Sequence, residues 1–185
     1  MNRLAPGISR PREATVWFEP VESGVQCFAA MKFRFLRLFP VLAGLVALAS
    51  AQPVTKSTVG LELAKKIAAR AEAEAAKNKW TMVIVIVDDG GNLVYLERMD
   101  GTQLGSIEVA QAKARTALKF KRPTKAFEDV VAGGRTAILS LPDVIAIEGG
   151  IPLVVNGAYL GAIGVSGMKS SEDGVVAQAA LEALP

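Results

Sequence analysis

Residues 82–98 read MVIVIVDDGGNLVYLER, and this stretch decides the fold. Its first part is a continuous run of apolar, mostly β-branched residues, which is typical of a strand covered on both faces. Residues 88–92 have the composition of a turn, and a second strand-like run, residues 93–98, follows directly. Two such runs around a glycine-containing turn predict a β-hairpin.

A second hairpin is predicted near the C-terminus, where apolar runs 151–155 and 158–165 flank Asn156-Gly157. Asn-Gly between two apolar runs is the strongest short-range hairpin signal. Apolar residues at helical spacing predict helices that begin near Leu61, Ser106, Pro123 and Ser170. The order helix, hairpin, two helices, hairpin, helix favours an α+β fold, in which helices pack on an antiparallel sheet, over a doubly wound parallel one.

The N-terminal part has the pattern of a secretory leader. A basic stretch begins at Met31, an apolar run covers residues 38–48, and Ala49-Ser50-Ala51 supplies small residues two apart. The apolar run is shorter than the roughly 20 residues that a spanning helix needs, which favours a cleaved signal peptide over an uncleaved anchor. We therefore assign residues 1–30 to a non-native upstream extension, 31–51 to a signal peptide and 52–185 to a single domain. The expected location is periplasmic or secreted.

The charge and residue inventory excludes several function classes. Residues 1–51 hold six Lys/Arg and three Asp/Glu, which accounts for the whole formal charge of +3, and residues 52–185 are neutral. The basic pI therefore comes from the charges of the leader, and it does not indicate nucleic acid as a partner. The chain has no His, and its single cysteine, Cys27, lies in the leader. This excludes Ser-His-Asp and Cys-His catalysis and the usual zinc and copper sites from the domain.

One basic cluster stands out, because no acidic residue interrupts it. It is either a solvated helix face or a receiver of a carboxylated ligand. Lys113 is the best ligand candidate, since it lies beside the apolar stripe of its helix and shares a face with neither Lys121 nor Arg122. The cluster consists of Lys113, Arg115, Lys119, Lys121, Arg122 and Lys125.

Five short segments together resemble the GlcG/HbpS-like haem-binding family, and the likeness covers residues 58–184. Each segment alone is weak evidence for the family, but five segments in the right order and spacing are strong evidence. The resemblance implies an α/β sandwich on a five-stranded antiparallel sheet and homo-oligomers, commonly octamers. The segments are residues 87–91, 98–101, 113–117, 149–152 and 161–167.

Members of this family include exported haem-binding proteins that act beside redox-sensing receptors, accessory proteins of glycolate metabolism and domains fused to cobalamin-processing enzymes. The resemblance therefore implies haem as the cofactor and a membrane sensor as a partner. It implies the fold more strongly than the function, because one fold serves many functions.

The matching residues carry the expected site. The family's Arg-Met-Asp-Gly corner supplies Arg98, Met99 and Asp100, and its Lys-Ala-x-Thr helix segment supplies Lys113 and Thr116. Without histidine, haem iron needs another axial ligand. Met99 is the first candidate because it lies at a strand end, Thr116 offers an oxygen, and Tyr95 and Met168 follow. Each residue also has a structural interpretation: Tyr95 as core, for example, and Arg98 with Asp100 as a salt bridge at the hairpin end.

Three functional hypotheses remain open at this point. The leading one is an exported, non-enzymatic protein that binds or buffers haem, or reports it to a partner, with the basic cluster receiving the propionates. The second is an enzyme for a small organic acid, in which Arg98 or Lys113 holds a carboxylate and Asp100 moves a proton. The third is an oligomeric scaffold without a ligand.

Overall fold

A computed structural model describes residues 55–185. The predicted upstream extension and signal peptide lie outside these residues. The elements are α1 (Leu61–Lys77), β1 (Val83–Asp88), β2 (Leu93–Arg98), α2 (Ser106–Phe120), α3 (Lys125–Ala132), β3 (Gly150–Val155), β4 (Ala158–Ser166) and α4 (Ser170–Ala180). Short 3-10 turns cover Thr136–Ser140 and Leu181–Ala183. The predicted order of helices and hairpins is confirmed.

The sheet has the strand order β2-β1-β4-β3, and every neighbouring pair is antiparallel. The α+β class is thus confirmed, but the expectation of five strands is wrong: within residues 55–185 the sheet has four. Each hairpin supplies two strands. The stretch between α3 and β3 forms a 3-10 turn and a loop, since Gly133, Gly134 and Pro142 interrupt any regular strand there.

Helices cover both faces of this sheet. Ile84 and Ile86 of β1 pack in one core with α1 and α4, whereas Val83, Val85 and Val87 pack in a second core with α2. All five side chains are completely buried. This explains why β1 is continuously apolar rather than alternating.

Helix α2 lies unusually close to the sheet because β4 has a glycine beneath it. A Cβ placed on Gly164 would lie 2.8 Å from the backbone nitrogen of Ala114 and would overlap the carbonyl oxygen of Ala110. The glycine-rich end of β4 is therefore a packing device. It holds the side chains of α2 at a fixed height above the sheet.

The tip of the first hairpin is fixed by Asp88. Its Oδ1 accepts hydrogen bonds from the backbone nitrogens of Gly90 (2.9 Å) and Asn92 (2.8 Å), which confirms its prediction as a turn residue. Burial raises the pKa of Asp88, but the hydrogen bonds from Asn92 and Gly90 outweigh this effect and the net pKa is lowered. The tip therefore provides a firm wall for the cleft described next.

None of the helices within residues 55–185 has the length and apolar content required to cross a bilayer.

Candidate functional site

A cleft of about 1140 Å³ lies between the hairpin tip, the outward face of α2 and the loop 143–145. Its apolar wall consists of Ala112, Leu118, Val144, Ile145 and Ala158. Its charged lining consists of Lys56, Arg115, Lys119 and Lys121 with Asp89, Glu108 and Asp143. The cleft thus combines an apolar surface with cationic groups, which suits a flat apolar ligand that carries carboxylates.

The cations of the cleft are held only by weak local contacts. Arg115 Nε donates to the carbonyl oxygen of Gly91 (3.2 Å), and Lys119 Nζ lies 2.5 Å from Asp143 Oδ2. The Lys121 ammonium lies 5.0 Å from the centre of the Tyr159 ring. The Lys119 ammonium lowers the pKa of the Asp143 carboxyl. Since exposed ion pairs contribute roughly 0–1 kcal/mol, these cations are free to turn to an anionic ligand at little cost.

Thr116 supports the cleft from behind. Its side chain is completely buried, and its hydroxyl donates to the carbonyl oxygen of Asp143 and accepts from the backbone nitrogen of Ile145, both at 3.1 Å. Asp143 has a left-handed backbone conformation (φ 58°), which the bond to Thr116 helps to hold. Thr116 therefore positions the loop that forms one wall of the cleft.

Lys113 faces the interior of the protein. The side chain is 1% exposed, and its Nζ donates to Asp173 Oδ2 (2.7 Å) and to the carbonyl oxygen of Val165 (3.0 Å). Asp173 Oδ1 also accepts from the backbone nitrogen of Met168 (3.1 Å). Burial raises the pKa of Asp173, and the Lys113 ammonium opposes that shift. This ion pair ties α2 to β4 and α4 and does not line the cleft.

The Arg-Met-Asp corner lies at the other end of the first hairpin. It is about 20 Å from the tip, since six strand residues rise about 3.3 Å each. Arg98 is exposed and its Nε donates to the carbonyl oxygen of Thr102 (3.1 Å), and Asp100 is exposed too. Within the described residues the predicted Arg98–Asp100 salt bridge is not formed, because the guanidinium caps the following turn instead. The structure does not bring these residues to the cleft.

The predicted iron ligands are likewise dispersed. Met99 is partly buried against the core of α1 and α4, and Met168 is 44% exposed. Tyr95 packs against the same core, as its structural interpretation predicted, and its hydroxyl donates to Glu97 (3.0 Å). None of them lines the cleft.

None of the predicted site residues Arg98, Met99, Asp100, Lys113 and Thr116 lines the cleft. Three other members of the basic cluster, Arg115, Lys119 and Lys121, do line it, and their role as receivers of a ligand stays a prediction. Tyr159 was missed, because nothing in the sequence distinguishes it from any other aromatic residue at the start of a strand. In the described part of the chain no group of three or more His, Cys, Asp or Glu side chains is arranged to hold a metal ion.

Fold and cleft together define a small α+β domain with a groove lined by apolar, basic and acidic residues. The chain belongs to the GlcG/HbpS-like family: residues 59–182 match the family model described as "Haem degrading protein HbpS-like". It is 43% identical to Protein GlcG of Escherichia coli K12 over 112 residues, which is 60% of this chain and 84% of GlcG.

Two solved structures are similar to this chain. The crystal structure of HbpS has a TM-score of 0.68 and 30% identity, and the match covers 76% of this chain and 99% of that one. The crystal structure of a PduOC:heme complex has a TM-score of 0.62 and 29% identity, and the match covers 69% and 95%. The resemblance to the family is therefore confirmed at the level of sequence and fold.

Proposed function

We propose that this protein is an exported, non-enzymatic haem-binding protein and that the cleft beside α2 holds the haem. The observation that carries the proposal is the cleft itself, which places cations around an apolar wall. Support comes from the family, in which the similar PduOC domain forms a complex with heme.

The residues of the cleft fit such a ligand. Its volume of about 1140 Å³ exceeds the roughly 300–1,000 Å³ of a usual small-molecule pocket, so it has room for a macrocycle. Leu118, Val144 and Ile145 offer apolar contact to the ring. Arg115 and Lys119 lie on the exposed side of α2, where charge-assisted hydrogen bonds to propionate carboxylates are favourable.

Tyr159 is the iron ligand that this placement favours. Haem iron is held in proteins by His, Cys, Met or Tyr. Among the described residues that line the cleft, Tyr159 is the only member of that set. Its phenol oxygen makes only a long contact (3.5 Å) to the carbonyl oxygen of Lys121, so little is lost when it turns to another partner. Met99 and Thr116 stay predicted iron ligands, although the Thr116 hydroxyl is already hydrogen-bonded to the loop 143–145.

Bound haem supplies a redox-active iron, while the chain binds its carboxylates and covers its ring. The leader over residues 31–51 supports a periplasmic or secreted location, where such a protein buffers haem or presents it to a membrane sensor. The proposal also includes assembly into a homo-oligomer, which the family resemblance implies. Fractionation of cells that express the full chain tests this location. Recovery of the full-length protein in the cytoplasm would contradict it.

A haemin titration of the purified protein, followed at the Soret band, tests the binding. We expect a saturable shift at a fixed ratio of haem to protomer. The variant Tyr159→Phe should change the position of the Soret maximum and weaken binding, whereas the matched Tyr95→Phe should leave both unchanged. Absence of a saturable shift contradicts haem binding, and an unaltered spectrum in Tyr159→Phe contradicts the assigned ligand.

A further inference from the structure

A second cavity, of about 490 Å³, lies between the start of α3, the start of β3 and the first turns of α4. It shares no lining residue with the haem cleft. Pro123, Ile151 and Val175 give it a mainly apolar wall, and its polar side chains are Lys125, Glu148 and Gln178. The proposed function does not use this cavity, although Gly149, Gly150 and Ile151 of its lining belong to the family segment 149–152.

Glu148 is the unusual group here. Within the described residues its carboxylate accepts no hydrogen bond, although the residue is partly buried. Burial raises the pKa of Glu148, the Lys125 ammonium opposes this shift, and the Glu128 and Asp129 carboxylates add to it, so that the net pKa is raised. The carboxylate oxygens still reach solvent, so the group is only partly desolvated and is open to an external partner.

Both cations near Glu148 have another carboxylate partner, and the exposed pair of Lys125 with Asp129 contributes only roughly 0–1 kcal/mol. Lys125 is paired with Asp129, and Lys113 is paired with Asp173 beneath the cavity floor. Glu128 accepts from the backbone nitrogen of Glu148 (2.5 Å) and from the Ser170 hydroxyl (3.2 Å). The cavity therefore has an excess of negative charge, concentrated on the one carboxylate that lacks a partner within the described residues.

Glycines hold this carboxylate in place. A Cβ on Gly174 would lie 2.6 Å from Glu148 Cδ, so only a glycine lets the carboxylate lie against α4. A Cβ on Gly149 would lie 2.9 Å from the Lys113 ammonium. Gly174 thus leaves room for the Glu148 carboxylate, and Gly149 leaves room for the buried pair of Lys113 and Asp173.

We propose that this cavity binds a small organic cation, an alkylammonium group with a short apolar chain. The ammonium group pairs with the Glu148 carboxylate and the Gln178 amide oxygen completes its shell. The apolar chain packs against Pro123, Ile151 and Val175. The cation supplies the partner that Glu148 lacks, and the site is independent of the haem cleft.

Butylammonium, butanol and butyrate, which share a chain and differ in charge, are the probes for this site. Backbone amide shifts of the full protein are followed during each titration. We expect butylammonium to shift Gly149, Gly150 and Gly174 saturably, with Gly91 in the haem cleft unmoved. Butanol and butyrate should bind at least about tenfold more weakly, a difference of about 1.4 kcal/mol. Equal binding of the three probes, or shifts centred on Gly91, overturns the proposal.

Two further measurements isolate Glu148. The variant Glu148→Gln should weaken butylammonium binding by about tenfold or more. The matched Glu62→Gln, which removes an exposed carboxylate on α1, should not change it. In the unaltered protein, binding should weaken as the pH falls through the raised pKa of Glu148. The groups that face Glu148 are Lys125, Glu128 and Asp129 of α3, Lys113 of α2 and Asp173 of α4. Unchanged affinity in Glu148→Gln, or no weakening at acidic pH, overturns the assignment.

Discussion

The two faces of α2 use the same kinds of residue for different purposes. On the inner face, Lys113 and Thr116 are completely enclosed and hold other parts of the chain in place. On the outer face, Arg115 and Lys119 are exposed and line the cleft. A cluster that is continuous in sequence is therefore divided by the helical period into a half that faces the core and a half that faces the cleft.

The division has a clear energetic meaning. Removing one partner of a buried ion pair costs about 3–5 kcal/mol, because the other charge is left without compensation in the interior. An exposed pair contributes only roughly 0–1 kcal/mol. Substitutions on the inner face should therefore lower the free energy of unfolding, and those on the outer face should lower ligand affinity alone.

The largest effect is expected for Lys113→Met. The change leaves the Asp173 carboxylate buried and unpaired and should lower the free energy of unfolding by about 3–5 kcal/mol. Denaturant unfolding followed by circular dichroism measures it. The double variant Lys113→Met/Asp173→Leu should recover part of the loss, since an apolar pair of similar volume replaces the ions. If the single variant is as stable as the parent protein, the buried pair does not tie α2 to α4.

A smaller loss is expected for Thr116→Val, which keeps the shape but removes the hydroxyl. The carbonyl of Asp143 and the backbone nitrogen of Ile145 lose their partner, at a cost of about 1–3 kcal/mol. The same change should loosen the loop 143–145 and weaken haem binding. Thermal unfolding and a haemin titration report the two effects. If the variant is destabilised but binds haemin with normal affinity, the loop 143–145 does not contribute to haem binding. That result would contradict this role of Thr116.

The effect of Glu148→Gln on stability should depend on pH. Since the folded-state pKa of Glu148 is raised, its ionised form is disfavoured in the fold, and this penalty is present above that pKa and absent below the ordinary pKa of a glutamate. The variant should therefore be more stable than the parent near neutral pH and equally stable in acid. Unfolding curves at the two pH values give the comparison. A variant that is less stable near neutral pH would show that the carboxylate has a favourable partner.

The smallest effect on stability is expected on the outer face. Arg115→Gln and Lys119→Gln remove exposed charges and should change the free energy of unfolding by no more than about 0.5 kcal/mol. Both should nevertheless weaken haem binding. The matched control is Lys66→Gln, an exposed lysine on α1. Equal haemin affinity in all three variants would show that Arg115 and Lys119 do not take part in haem binding.

The fold could be predicted from local signals because local chemistry determines it. The Asn156-Gly157 turn and the turn at residues 88–92 each fix a hairpin without reference to the rest of the chain. The inward position of Lys113 was also within reach, since it shares a helical face with Ala110 and Ala117. Its partner Asp173, however, lies 60 residues further along the chain. Such a pairing depends on how α2 and α4 are placed on opposite faces of the sheet, which no local pattern encodes.

The cleft was less predictable for the same reason. It joins the hairpin tip, α2 and the loop 143–145, whose distances depend on the packing of α2 on Gly164 and on the hydrogen bonds of Thr116 to the loop. The Arg98–Asp100 corner attracted attention as a recognisable motif, yet it lies at the far end of the hairpin. A recognisable segment such as residues 98–101 identifies the family without showing that its residues line the cleft.

The most direct test is to map the haem on the protein by paramagnetic broadening of backbone amide signals after addition of ferric haemin. The account predicts that Gly91, Leu118 and Ile145 broaden first, since they surround the cleft. Signals of Met99 and Thr102, at the opposite end of the hairpin, should persist. Broadening centred on Met99 would contradict the account and would place the haem at the Arg-Met-Asp corner.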